Sequence, residues 1–186
     1  MSAKYEYGQS LRSVNWDLVG MELYSKDALE WSDLFRDSSK KNATYMNLRV
    51  NSLYKKWSNL AECFETIPDY IVSLNICDNK LNLMAIDELG RAFTTLRCKK
   101  ITLSLSEIIE RMEEELIHLG TSMSYIMDIC VVDPKGNEVA HPSADLLKKN
   151  IGGKVFELQD WLIKAKKELK EPTIKMPIGL YRPYLF

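Results

Sequence analysis

His118 and His141 are the two histidines of this chain, and Cys63, Cys77, Cys98 and Cys130 are its four cysteines. General-base or thiol chemistry therefore has to be assembled from these positions. His118 shares a helical segment with Glu110, Glu113, Glu114 and Glu115 and stands near its C-terminus, where an imidazolium is welcome beside the helix dipole. His141 follows a strand-like segment and precedes Pro142, the setting of an exposed turn residue. A dyad of either histidine with Cys130 would have to form through space, because no nucleophile motif surrounds these residues. The cysteines carry no C-x-x-C spacing, so neither a zinc site nor a disulfide framework is indicated. Each lies among apolar neighbours, which reads as a buried free thiol in a reducing compartment.

The carboxylates Asp78, Asp128 and Asp133 could in principle bind a metal or move protons, but all sit where aspartate ordinarily builds turns. No phosphate-loop, dinucleotide, nucleophile-elbow or zinc-protease motif occurs. Gly152-Gly153 followed by Lys154 is the single glycine-rich candidate for holding an anion, and it reads more simply as a connector between helices. No cofactor or metal is called for. Asn42-Ala43-Thr44 matches the glycosylation pattern, but without a targeting segment the match reads as chance.

Cations are concentrated near the C-terminus. Residues 146 to 175 hold eight lysines against four carboxylates, in a chain whose net charge is only -1. Lys148, Lys149, Lys164, Lys166, Lys167 and Lys170 form the candidate surface for RNA phosphates or acidic lipid. The plainer reading is a solvated helix face with ordinary i,i+4 ion pairs.

The elements that would position these groups follow from periodicity. Val14, Trp16 and Leu18 alternate as a strand, with a bulge at Val19-Gly20, and Ser25 is placed to cap a short helix carrying Ala28, Trp31 and Phe35. Met46, Val50, Leu53, Trp57, Leu60 and Phe64 recur at spacings of four and three, which predicts one long helix over residues 44–66, ended by Pro68. Residues 44–51 also fit a strand, and the helix is preferred because one pattern then covers the whole segment. Tyr70 to Ile76 and Leu81 to Ile86 read as strands joined by a hairpin turn at Asp78-Asn79-Lys80, with a second turn at Asp87 to Gly90. A strand at Ile101 to Leu105 leads into a helix ending at Gly120, opened by a capping box of Ser104 and Glu107. Met123 to Val131 alternates again, and Asp133-Pro134-Lys135-Gly136 signals a hairpin. A short helix runs from Pro142 to Gly152-Gly153, and a last one from Lys154 to about Leu169. No internal repeat emerges from this reading.

Together these elements predict an α+β fold, with a mainly antiparallel sheet built from hairpins and packed against about four helices. One domain is expected over residues 1–171, with an extended aromatic arm over residues 172–186. The 46% hydrophobic composition excludes a disordered chain. The absence of a long apolar run leads us to expect a soluble, cytoplasmic protein.

By function, the sequence points first to a non-enzymatic interaction or assembly protein: a self-associating structural component of viral or phage type, in host cytoplasm or particle, or one that docks on a protein partner. Trp57, Leu180, Tyr181, Tyr184 and Phe186 are its candidate interface residues. The alternatives are a peripheral RNA- or anionic-membrane-binding protein that uses the lysine face, and an enzyme of unfamiliar type that uses Cys130 or His141. No small-molecule substrate is suggested.

Overall fold

The computed structural model describes residues 15–36, 42–56 and 58–152, all within one unit that ends at Lys154. Five short strands, β1 (Asn15–Asp17), β2 (Tyr45–Asn47), β3 (Ser73–Asn75), β4 (Lys100–Ser104) and β5 (Asp128–Val132), pair in chain order. Every pairing between neighbouring strands is parallel. Each strand is followed by a helix: α1 (Ala28–Leu34), α2 (Leu60–Glu65), α3 (Ile86–Thr95), α4 (Glu113–Ser122) and α5 (Pro142–Asn150). The register pairs Asn15 with Tyr45, Tyr45 with Ser73, Ser73 with Lys100 and Lys100 with Asp128, so one turn of the coil takes 30, 28, 27 and 28 residues.

This overturns the antiparallel α+β expectation: the protein is an α/β coil of repeats. Strands of three to five residues alternate inward and outward whichever way they pair. The connections decide direction, and here each carries a 3-10 turn or loop and a helix back to the starting edge, which only a parallel pairing can use. The repeat that the sequence reading missed is plain in the buried positions. Ile71, Leu74, Ile76, Asn79 and Leu81 are all buried, at a spacing that returns as Ala43, Met46, Leu48, Asn51 and Leu53. It returns again as Cys98, Ile101, Leu103 and Ile108, with Ser106 opposite Asn79 in register, and in part as Trp16, Leu18 and Leu23.

Individual elements move accordingly. The long helix over residues 44–66 does not form: its start is β2, its middle is a 3-10 turn at Leu53–Lys56, and only Leu60–Glu65 is α-helical. Val50, taken as part of an apolar helical seam, is 52% exposed with φ of 58°, a left-handed conformation that no right-handed helix contains. Residues 81–86 are a 3-10 turn leading into α3, which also absorbs the turn expected at Asp87 to Gly90. The helix expected from Ser104 to Gly120 splits into a 3-10 turn at Leu105–Glu107 and α4. Asp27, rather than Ser25, caps α1, accepting from the Glu30 N–H at 2.8 Å while Glu30 accepts from the Asp27 N–H. The hairpin at Asp133 to Gly136 does form, closed by the Asp133 N–H to the Asn137 carbonyl and by an antiparallel bridge between Val132 and Glu138. It covers the outer edge of β5, an edge that would otherwise present unpaired backbone groups.

One face of the sheet is covered by the helices. Trp16, Met46, Leu74, Ile101 and Ile129 point into a core shared with Trp31, Phe64, Phe93, Leu116 and Leu147. Aromatic rings step through it from repeat to repeat: Trp31 to Phe64 at 6.3 Å between centroids, and Phe64 stacked on Phe93 at 6.4 Å.

The loops after the strands are held by buried side chains. Asn51 Nδ2 donates to the carbonyls of Leu18 (2.8 Å) and Leu48 (3.0 Å), while its Oδ1 accepts from the Leu23 N–H. Asn79 repeats the arrangement one turn on, donating to Leu48 and Ile76 and accepting from the Asn51 N–H at 2.8 Å. The next rung is Glu107, one residue beyond the register position. Its carboxylate accepts from the Asn79 N–H at 2.8 Å and the Ser104 N–H at 3.1 Å. Burial raises the Glu107 carboxyl to about 7, outweighing these N–H donors, which favour the ionised form.

Two predictions follow from the ladder. Asn79→Ala removes the partners of the buried Asn51 N–H and Ile76 carbonyl, while Leu48 keeps its bond from Asn51, and denaturant unfolding should show a loss of about 3 kcal/mol. The folded state also holds the Glu107 proton more tightly than the unfolded chain, where the group titrates near its ordinary 4.5. Its contribution is therefore complete below that value and is lost as pH rises through about 7, a span of about 3 kcal/mol. Thermal unfolding at pH 5 and pH 8 should show the wild type more stable at pH 5, with the difference much reduced in Glu107→Gln.

Candidate interaction surface

The residues that alternate with the core positions form the uncovered face of the sheet. Along one row stand Asn15, Tyr45, Ser73, Lys100 and Asp128, and along the next Asp17, Asn47, Asn75, Thr102 and Cys130. All are half-buried or exposed. The second row repeats one device: the side-chain oxygens of Asp17, Asn47 and Asn75 accept from the backbone N–H two residues ahead, at 3.4, 3.3 and 3.0 Å. These short polar side chains thereby steer the chain out of the strand into the loop. Asn75 also donates to the Tyr45 hydroxyl at 3.2 Å, which fixes the ring on the face.

Charges here are paired across repeats. Arg49 reaches Asp78 at 2.6 Å, and Asp78 accepts from the Ser104 hydroxyl at 2.9 Å. The hydrogen bond to Asp78 raises the Arg49 guanidinium above its ordinary value. Partial burial alone would push the Asp78 carboxyl up, but the bonds from Arg49 and Ser104 prevail and hold it below the usual carboxylate range. Lys100 pairs with Asp128 at 2.9 Å, and that bond raises its ammonium. The face therefore presents fixed polar groups with largely neutralised charge.

The positions singled out for chemistry are scattered. Cys77 and Cys98 are buried thiols pushed up to about 12 by burial, and Cys63 and Cys130 are raised for the same reason. Cys130 lies on the sheet face, whereas His141 caps α5 by accepting from the Ser143 N–H, and His118 stands 3.6 Å from Asp87 on the helical side. No hydrogen bond joins Cys130 to either histidine. Asp133 builds its turn, accepting from the N–H groups of Lys135 and Asn137. Among the described residues no group of three or more His, Cys, Asp or Glu could hold a metal, and no helix is long and apolar enough to cross a membrane.

Of the lysine face, Lys148 is held by Glu138 at 2.9 Å and Lys149 is exposed at the end of α5. Lys164, Lys166, Lys167 and Lys170 lie outside the described residues, as do the interface candidates Trp57, Leu180, Tyr181, Tyr184 and Phe186 and the boundary expected at 171–172. The sheet-face residues Tyr45, Asn47, Arg49, Asn75 and Lys100 escaped the sequence reading. The signal that exposes them is the eleven-residue pattern of residues 71–81 and its copies, since the odd positions between buried ones are then solvent-facing.

A strand, a loop and a returning helix, repeated every 27 to 30 residues, with buried asparagines pinning two of the loops, make a parallel α/β repeat coil. The comparison with solved structures agrees. The leucine-rich repeat-containing protein LegL7 from Legionella pneumophila superposes with a TM-score of 0.55 over 74% of this chain, at 22% identity. The match takes in 53% of that protein, so this chain spans about half its length. The likeness establishes the fold. No protein-family model and no curated protein matches the chain.

At the rim of the face, Gly20, Val50 and Asp78 take positive φ at equivalent places, and so do Glu22, Ser52 and Lys80 two residues on. The pairs Val50/Ser52 and Asp78/Lys80 bracket Asn51 and Asn79 and turn those side chains inward, whereas Met21, between Gly20 and Glu22, stays exposed. For the β-branched Val50 this conformation is strained. Val50→Gly should therefore raise stability by about 1 kcal/mol in denaturant unfolding, because the relieved strain exceeds the added entropy of the unfolded chain.

Proposed function

We propose that this chain is a non-enzymatic protein-interaction module that receives a protein partner on the uncovered face of its parallel sheet. The observation that carries the reading is the grid of anchored polar side chains running across successive repeats: Tyr45 held by Asn75, Arg49 by Asp78 and Lys100 by Asp128. Side chains already fixed lose little rotamer freedom on binding, and their paired charges favour a partner of mixed polarity over a polyanion. A continuous sheet face read by a partner is also the use to which stacked-repeat folds are commonly put. Thiols raised by burial and histidines on separate elements supply no nucleophile and base in one place, which supports the non-enzymatic part of the reading.

The test compares a sheet-face variant, Tyr45→Ala with Arg49→Glu, against Arg91→Glu on α3. Partner recovery is quantified after crosslinking in cells, and light scattering of the purified chain reports whether the partner is a second copy. The face variant should lower recovery, or the oligomer mass, by roughly tenfold, with the α3 variant unchanged. Equal loss in both variants, or none in the face variant, would reject this surface.

A further inference from the structure

Register places Tyr70, Arg97 and Tyr125 at equivalent positions of consecutive repeats, three residues before Ser73, Lys100 and Asp128. They stand where the chain enters the strands, along the rim of the sheet opposite the ladder loops. The alignment is held by backbone bonds, from the Lys99 N–H to the Val72 carbonyl and from the Met127 N–H to the Lys99 carbonyl, both 2.8 Å.

Arg97 lies over the Tyr125 ring, its Cζ 4.5 Å from the centroid, and Lys99 Nζ lies 5.9 Å from the same centroid. Arg97, Lys99 and Tyr125 are all exposed. Among the described residues Arg36, Arg49, Arg91 and Arg111 each stand within 4 Å of a carboxylate, and Arg97 does not. A guanidinium stacked on a ring is oriented by its π-face, while the N–H donors in its plane stay turned toward solvent. That fork matches a carboxylate, and Lys99 adds a second cation beside it. Lys100 contributes no free charge, being paired with Asp128.

We propose that Arg97, Lys99 and Tyr125 form an anion-recognition site that takes a carboxylate side chain from an acidic segment of the protein partner. The ring pre-positions the arginine, so binding loses less side-chain entropy than it would at a free surface cation. Two uncompensated cations in a chain of net charge -1 suit a single acidic segment and fall short of the several phosphate contacts that nucleic acid needs. The inference names the chemistry of the partner and so rests on the interaction reading above.

The test is fluorescence anisotropy with the full chain and a fluorescein-labelled decapeptide of alternating Gly and Glu, alongside the Gly-Gln peptide and a ten-nucleotide oligo-dT. The Gly-Glu peptide should bind saturably, weaken with salt and lose roughly tenfold or more in affinity in Arg97→Ala, with a smaller loss in Lys99→Ala. Tyr125→Phe should retain binding, since it keeps the ring, and Tyr125→Ala should lose it. The double variant Tyr45→Ala with Arg49→Glu should leave peptide binding unchanged while lowering partner recovery, so failure of the rim site and failure of the sheet face are told apart. Equal binding of the Gly-Gln peptide, equal or tighter binding of oligo-dT, or an unchanged affinity in Arg97→Ala would overturn the proposal.

Discussion

A buried amide that serves backbone groups of two repeats at once is the interaction on which the rest of this fold depends. The loop leaving each strand must turn sharply inside the molecule, where its carbonyls and N–H groups have no water. Asn51 and Asn79 supply both donor and acceptor at that point, and each ties its own loop to the one before it. An apolar residue would fill the space and leave those groups unpaired, which costs more than the packing returns. Glu107 continues the series as an acceptor of N–H bonds, and its burial, which outweighs them, is why proton uptake favours the fold at this junction.

The ladder has a geometric corollary. The loops it pins require left-handed backbone on both sides of the inward residue, and the chain accepts this even at Val50. The strands consequently stay short and in strict parallel register, so outward residues line up into rows across repeats. Contacts across the face join residues about one repeat apart: Tyr45 with Asn75, Arg49 with Asp78, Lys100 with Asp128. The same lineation at the rim sets Arg97 beside Tyr125. A surface of this kind is rigid because the core beneath it is rigid, and stability in such stacks is carried by nearest-neighbour interfaces.

The helical side is built more conventionally and tolerates more variety. Trp31, Phe64 and Phe93 occupy comparable places, yet the helices above them range from six to ten residues. Close approach is enforced locally, as where a Cβ on Gly120 would come within 2.9 Å of the Asn150 side chain and 3.1 Å of its backbone. Such contacts set the spacing of α4 and α5 without dictating which way the strands run.

Sequence alone determined that Trp16 and Leu18, Leu74 and Ile76, Ile101 and Leu103, and Ile129 and Val131 share the inner face of their strands, where Pro142 opens α5, that Asp133 to Gly136 turns back on itself, and that Cys63, Cys77 and Cys98 are buried thiols. All of these are local consequences of side-chain type and spacing. It left strand direction, the repeat and the exposed face undecided, and a spurious helical period ran through Met46, Val50 and Leu53 because strand, loop and 3-10 turn happened to space their apolar residues by three and four. Asn79 shows the reason most clearly. In isolation Asp78-Asn79-Lys80 is turn chemistry and suggests a hairpin, but its amide finds Leu48 31 residues earlier in the chain. Only when the neighbouring repeat stacks alongside does that long-range bond exist, and only then does the turn lead to a parallel strand rather than an antiparallel one.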